Sequence, residues 1–196
     1  MPMTSTSASL LDRLKKAPAD SPDWSRLHDI YRPLIKFWLA RISGTADESD
    51  DLAQEVLIVL VRELPKFSTQ GHGSFRAWLR QITVNQARAH FKKRRRRPVA
   101  GLAGGAEDIL AQLADPNSDL SQQWDQDHDR HVSQKLLALV KNDFEKSTWE
   151  AFSRFALEGK PAAKVAEELG ISENAVLLSK SRVFKRLRRE AGEFLS

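Results

Sequence analysis

The sequence predicts an all-α protein built as two small helical domains on a flexible linker. Apolar residues recur every three or four positions along most of the chain, no run alternates as a half-buried strand would, and Ser, Thr and Pro stand where helices need starts and stops. With 196 residues, each half is large enough to bury a modest core.

Ser21-Pro22 starts the first helix, with Pro in its favoured first position, and the stripe runs through Trp24, Leu27, Ile30 and Tyr31 to Ile42. Pro33 lies inside this stretch and is a potential break or kink. Thr45 with Glu48 forms a capping box for a second helix ending near Leu64, just before Pro65. Ser74 caps a third, with Phe75, Trp78, Leu79, Ile82 and Ala89 as its buried stripe, running to about Arg96 before Pro98 stops it. The first domain is therefore read as residues 10–98. Gly101, Gly104, Gly105, Asp115, Pro116 and Asn117 are too small and polar to pack well, so residues 99–120 are read as a linker. The second domain, 121–196, opens on Trp124, His128, His131, Val132, Leu136, Leu139 and Val140 at helical spacing. Ser147 with Glu150 reads as another capping box ahead of Trp149, Phe152 and Phe155, and Gly159 closes that helix.

Composition excludes several classes. Hydrophobic residues make up 41% and charged residues 29%, as in a soluble globular protein. The longest near-apolar run, Val56 to Val61, is far too short to span a bilayer, and Met1 to Ser9 lacks the layout of a secretory signal, so no membrane association and a cytoplasmic location are expected. With no Cys there is no disulfide framework, thiolate nucleophile or Cys-type zinc site. The five histidines are scattered; His128 and His131 have the i, i+3 spacing of a metal pair beside Asp125, Asp127 and Asp129, but a solvated helix face explains them as well. No Gly-rich phosphate loop or nucleophile elbow occurs, so neither an enzymatic reaction, a metal nor a cofactor is expected.

The net charge of +5 is distributed in blocks. Asp47 to Glu63 holds six acids against one base, Arg76 to Arg97 nine bases and no acid, Gly105 to Asp129 seven acids and no base, and Lys180 to Arg189 six bases and no acid. Two basic surfaces separated by an acidic span suggest two nucleic-acid contacts joined by a segment that DNA repels.

Pro161 to Arg189 reads as a helix-turn-helix, with Val165, Ala166, Leu169, Gly170, Ile171 and Val176 around a tight turn and Ser172 capping the second helix. At 100° per residue, Val176, Val183, Phe184 and Leu187 share one side of that helix; Asn174, Leu178, Ser181, Arg182, Lys185 and Arg188 share the other. Such a face is suited to bond base edges near its start and phosphates further along, with Leu178 suited to a thymine methyl, the plainer alternative being an amphipathic hairpin with a solvated basic face. Lys180 is irregular, lying in the apolar stripe with its ammonium expected to snorkel outward. On the third helix, Arg76, Arg80, Asn85, Arg88 and Lys92 lie outside the buried stripe with Val84 and Phe91 interleaved, and Lys93 continues a basic run to Arg97. Cations that follow a backbone beside side chains on which bases stack suit unpaired DNA. On the second helix, Leu52, Val56, Val59 and Leu60 supply a core stripe, while Leu57, Ile58 and Val61 add apolar surface beside Asp50 and Gln54 that needs another helix or an external protein.

These residues together resemble the extracytoplasmic-function group of sigma factors, which keep the second and fourth sigma regions. Glu48-Ser49-Asp50-Asp51-Leu52-Ala53-Gln54-Glu55-Val56 is similar to the acidic signature of the second region, followed by Leu64-Pro65-Lys66-Phe67 and Gly73-Ser74-Phe75-Arg76-Ala77-Trp78-Leu79. The resemblance implies that Asp50, Asp51, Gln54, Glu55, Leu57, Ile58 and Val61 dock on the clamp helices of the largest subunit of core RNA polymerase. It implies that Lys66, Phe67, Ser68, Arg76, Arg80, Asn85, Arg88, Phe91, Lys92 and Lys93 capture the melted minus-ten strand of promoter DNA. The helix-turn-helix then reads the minus-thirty-five duplex through Ser172, Asn174, Leu178, Ser181, Arg182, Lys185 and Arg188. The linker corresponds to a segment that threads toward the polymerase active-site channel. Members are commonly held by an anti-sigma factor or controlled by a kinase. Leu177, Leu178 and Lys180 depart from the usual pattern, so no promoter preference is carried over. The alternative within DNA binding is a dimeric helix-turn-helix regulator reading a palindrome, which leaves the acidic motif and the third helix without a role.

Overall fold

The computed structural model describes residues 10–18, 20–43, 46–68, 74–95 and 104–192. Among them every regular element is helical: α1 (Leu10–Leu14), α2 (Pro22–Ser43), α3 (Ala46–Glu63), α4 (Phe75–Arg95), α5 (Gly104–Ala114), α6 (Asp119–Lys141), α7 (Lys146–Phe152), α8 (Ala162–Leu169) and α9 (Glu173–Ala191). A 3₁₀ turn at Leu64–Lys66 follows α3 and a π turn at Ser153–Leu157 follows α7. The all-α expectation holds. The chain divides into two compact units, residues 10–132 and 133–192, with the boundary inside α6.

In the first unit α2 and α3 pack along their lengths, and α4 lies against α3. Pro33 neither breaks nor ends α2. Its missing N–H removes one helical bond, but Tyr31, Leu34, Ile35, Trp38 and Leu39 on either side are buried, and that packing holds the helix through the defect. The core joins Leu27, Tyr31 and Trp38 of α2 to Leu52, Val56 and Leu60 of α3 and to Phe75 and Leu79 of α4. Ser74 caps α4 as read, accepting the Ala77 N–H at 3.3 Å. Thr45 and Gly101, used above for a cap and a linker boundary, lie outside the described residues, as do Gly73 and Arg96 to Pro98.

The stretch read as a linker differs from that expectation. Residues Gly104–Ala114 form α5, which packs on α4 and α2 and buries Leu110 and Leu113 completely. Two such side chains contribute roughly 1.5–3 kcal/mol each on leaving water. The first turns of α6 then complete the same unit, with Ser121, Trp124, His128 and Val132 buried. A stretch rich in Gly and Asp packs because Leu110, Leu113 and Trp124 are fully buried, with Ile109 and Leu120 partly so.

The second unit gathers the rest of α6 with α7, α8 and α9. Ala151, Val165, Ala166 and Val176 form its core, with Phe155, Ala162, Leu169 and Ile171 packed against it. The capping box at Ser147 is not formed: α7 starts at Lys146, two residues earlier than that box requires, with Glu145 at the cap position and no side-chain cap. Gly159 sits at φ +71°, just past the π turn. Arg186 of α9 donates to Asp143 at 2.8 Å and to Glu190 at 2.6 Å, fastening α9 to the α6–α7 turn.

Candidate protein and nucleic-acid interfaces

Three surfaces carry the residues singled out from the sequence. The first is on α3. Ile58 is 65% exposed and Val61 is exposed beside it, whereas Leu57 is 6% exposed and belongs to the core. Asp51, Gln54 and Glu55 are exposed. Asp50 is engaged within the protein: its carboxylate accepts from Lys36 at 3.1 Å and from Arg32 at 2.7 Å, and these bonds hold its pKa below the ordinary carboxylate value. It clips α3 to α2, so a docking role is shared with a structural one. Ile58 and Val61 border a groove of about 670 Å³ whose opposite wall is α2, through Trp24, Ser25, His28 and Asp29. Reading α3 alone missed that wall; Trp24, placed in the buried stripe, is only partly buried, and with His28 one turn on it lines the groove.

The second surface is α4 with the turn before it. Phe67 is buried, not presented to solvent: its ring meets Phe75 edge-on at 5.4 Å and Trp78 at 4.7 Å. Lys66 is exposed and pairs with Glu63 at 3.1 Å, and Ser68 is exposed. Asn85 is exposed and accepts from Gln81 at 2.9 Å, while Lys92 and Lys93 are exposed and Phe91 is partly so. Val84, read as interleaved on the outer face, is fully buried.

Arg76, Arg80 and Arg88 of this helix each face a carboxylate. Arg80 is only 8% exposed and donates to Asp125 at 2.7 Å and to the Ser121 carbonyl at 3.2 Å. Arg76 pairs with Asp129 at 2.9 Å and reaches Asp125 at 3.6 Å. Arg88 lies 3.7 Å from Glu107. All three acids come from the acidic span. Asp129 also accepts from His128 Nδ1 at 3.0 Å, and chiefly this bond, with Arg76, holds its pKa below the ordinary value. That tautomer leaves His128 Nε2 as acceptor for the Tyr31 hydroxyl at 3.4 Å. Burial pushes the His128 pKa down and the Tyr31 pKa well up. His131 approaches the Ile30 carbonyl at 2.6 Å, so the two histidines serve different partners.

The third surface is the helix-turn-helix. Gly170 ends α8 at φ +64°, a conformation that costs a side chain, and its N–H returns to Ala166 and Glu167 carbonyls. Ser172 then caps α9, its hydroxyl accepting the Ala175 N–H at 3.2 Å. Val176 and Val183 are buried; Asn174, Leu178, Ser181, Arg182, Lys185 and Arg188 are all exposed. The face derived from the helical wheel is thus presented whole. Lys180 holds its ammonium 5.1 Å from the Phe155 ring and 6.0 Å from Phe184, a cation–π seat that accounts for a lysine in an apolar stripe.

Among the described residues no helix is long and apolar enough to cross a membrane. Residues 27–97 match the Sigma-70 region 2 family. The chain is 32% identical over 142 residues to a Xanthomonas campestris protein named Probable RNA polymerase sigma factor RfaY, covering 72% of this chain and 34% of that one. It is 37% identical over 68 residues to the RNA polymerase sigma-H factor of Pseudomonas aeruginosa, covering 35% of this chain and 34% of that one. The matched parts span about a third of the length of each relative. Residues 27–97 are therefore similar to Sigma-70 region 2, and the chain is similar, over most of its own length, to a protein named as an RNA polymerase sigma factor.

Proposed function

We infer that this chain is a transcription initiation sigma factor of the extracytoplasmic-function type, and that it binds core RNA polymerase and promoter DNA. The Sigma-70 region 2 match over residues 27–97 carries the reading, because it falls on the three helices that hold the α2–α3 groove and the basic face of α4. Exposed Ile58 and Val61 on an acidic helix need a partner with a complementary apolar and basic surface. In this reading the clamp helices of the largest polymerase subunit fill the groove, with Asp51, Gln54 and Glu55 setting their register. Lys66, Ser68, Asn85, Phe91, Lys92 and Lys93 track the unpaired minus-ten strand, with Phe67 anchoring the turn from beneath. The α8–α9 helix-turn-helix acts as a fourth sigma region on the minus-thirty-five duplex.

No bond is made or broken by the protein. Melting is selective capture: a surface that binds unpaired strand better than duplex shifts the opening equilibrium by its differential affinity. The test is retention of the full chain on purified core polymerase and promoter-dependent run-off transcription. Ile58→Arg is expected to weaken polymerase binding by about tenfold or more, as loss of a central apolar contact does, while leaving the thermal melt unchanged. Wild-type chain that neither binds core polymerase nor directs run-off would overturn the reading. A dimer shifting palindromic duplex without polymerase would favour a conventional regulator.

A further inference from the structure

The acidic span from Gly105 to Asp129 contains seven acids and no base. Three of those acids meet arginines of α4 from two different helices. Glu107 of α5 faces Arg88, while Asp125 and Asp129 of α6 take Arg76 and Arg80. The placement is held from behind by Trp124, whose ring packs 5.2 Å from Trp38, and by His128 against Tyr31. On the same helix Lys92 and Lys93 remain exposed. Carboxylates fixed at the guanidinium groups of a basic helix face hold positions that backbone phosphates would otherwise take.

We propose that α5 and the first turns of α6 form a strap that occupies part of the DNA-binding face of α4 in cis, so that unpaired DNA must displace its acids from Arg76, Arg80 and Arg88. The inference rests on α4 being a single-strand-binding face. Lys92, Lys93 and Asn85 make first contact, and full engagement follows release of the strap. The chain alone then binds single strands weakly, and a partner that pulls the strap away activates the face. A purely structural role for the same pairs predicts no such gain when they are broken.

The experiment measures binding of the full-length chain to a short fluorescent single-stranded oligodeoxynucleotide across a salt series. The variant E107Q/D125N/D129N is expected to bind roughly tenfold tighter, with a salt slope steeper by about two as guanidinium groups become available to phosphates. D108N/D119N/D127N removes the same charge from acids not paired with those arginines, and is expected to move affinity much less. Glu107 is 52% exposed, so E107Q alone leaves the core intact and is expected to gain roughly twofold. Hydrogen exchange in residues 119–132 is expected to quicken when oligonucleotide is added to the wild type. Equal affinity of the paired-acid and charge-matched variants, with E107Q unchanged and exchange unaltered, would overturn the strap. K92E/K93E separates the two readings: if it weakens binding while the strap variants gain nothing, the DNA face stands and the strap falls. If it has no effect in any background, both fall.

Discussion

Arg80 and Asp125, forty-five residues apart in sequence, meet at 2.7 Å with the arginine almost wholly shielded from solvent. The bond fastens α6 to α4. Asp125 is about one-third exposed, so its own desolvation is modest, whereas Arg80 without it is a buried cation with a single carbonyl partner. Asp125→Ala is expected to cost about 1–3 kcal/mol, mostly from the stranded guanidinium. A double-mutant cycle with Arg80→Met, read by urea denaturation followed on tryptophan fluorescence, is expected to return a coupling above about 0.5 kcal/mol. Four of the five tryptophans, Trp24, Trp38, Trp78 and Trp124, lie in this unit and report it. Additive losses would show that the pair does not act as one.

Trp124 closes the first unit against Trp38, both rings fully buried and tilted by 49°. Trp124→Ala leaves a large cavity beside α2 and is expected to cost about 3–5 kcal/mol. A loss under about 1 kcal/mol would mean that α6 is a loosely held appendage. The same measurement therefore tests whether the domain ends near residue 98 or near residue 132.

Protonation of His128 gives the fold a pH dependence of defined sign. Burial depresses its pKa below the ordinary 6.5, so the folded state favours the neutral ring. The stability it contributes is present above the unfolded value and is lost as pH falls from about 6.5 toward the folded pKa, where the unfolded chain takes up a proton that the folded chain resists. Melting temperature is expected to drop between pH 7 and pH 5, and His128→Gln is expected to flatten that part of the curve. Asp129, also depressed, contributes at lower pH because its ordinary value is 3.8. An identical slope in wild type and variant would remove His128 from the account.

Gly170 tests the turn of the helix-turn-helix. A Cβ there would touch nothing within 4 Å, so the cost of Gly170→Ala is backbone strain alone, about 1–2 kcal/mol at φ +64°. Ser172→Ala removes the cap on α9 at a cost of about 1 kcal/mol. Both are expected to speed hydrogen exchange in α8 and α9 and to leave α2 to α4 unchanged. A slowed or unaltered exchange in α9 would contradict the Ser172 cap and the Gly170 turn.

Much of the helical layout was legible because it is local. Ser74, Gly170 and Ser172 act through bonds within a few residues, and the exposed face from Asn174 to Arg188 follows from a fixed angle per residue. What failed required knowledge of neighbours. Ser147 with Glu150 satisfied the pattern of a capping box, yet the cap position of α7 falls two residues earlier, at Glu145. Val84 was placed outside by its angle, but α4 is covered by α3 on one side and α5 on another, and a helix covered twice buries more than one stripe.

By itself, the order of residues determined that the chain is helical, that Ser74, Gly170 and Ser172 start or stop helices, and which stretches carry which sign of charge. Only the tertiary structure decided that Leu110, Leu113 and Trp124 draw the acidic span onto the first unit, that Arg76, Arg80 and Arg88 face its carboxylates, and that α2 supplies the second wall of the groove at Ile58. The reason is physical. Helix starts and faces are set by backbone geometry over a few residues, whereas an arginine's partner depends on which distant segment burial brings within about 3 Å of it.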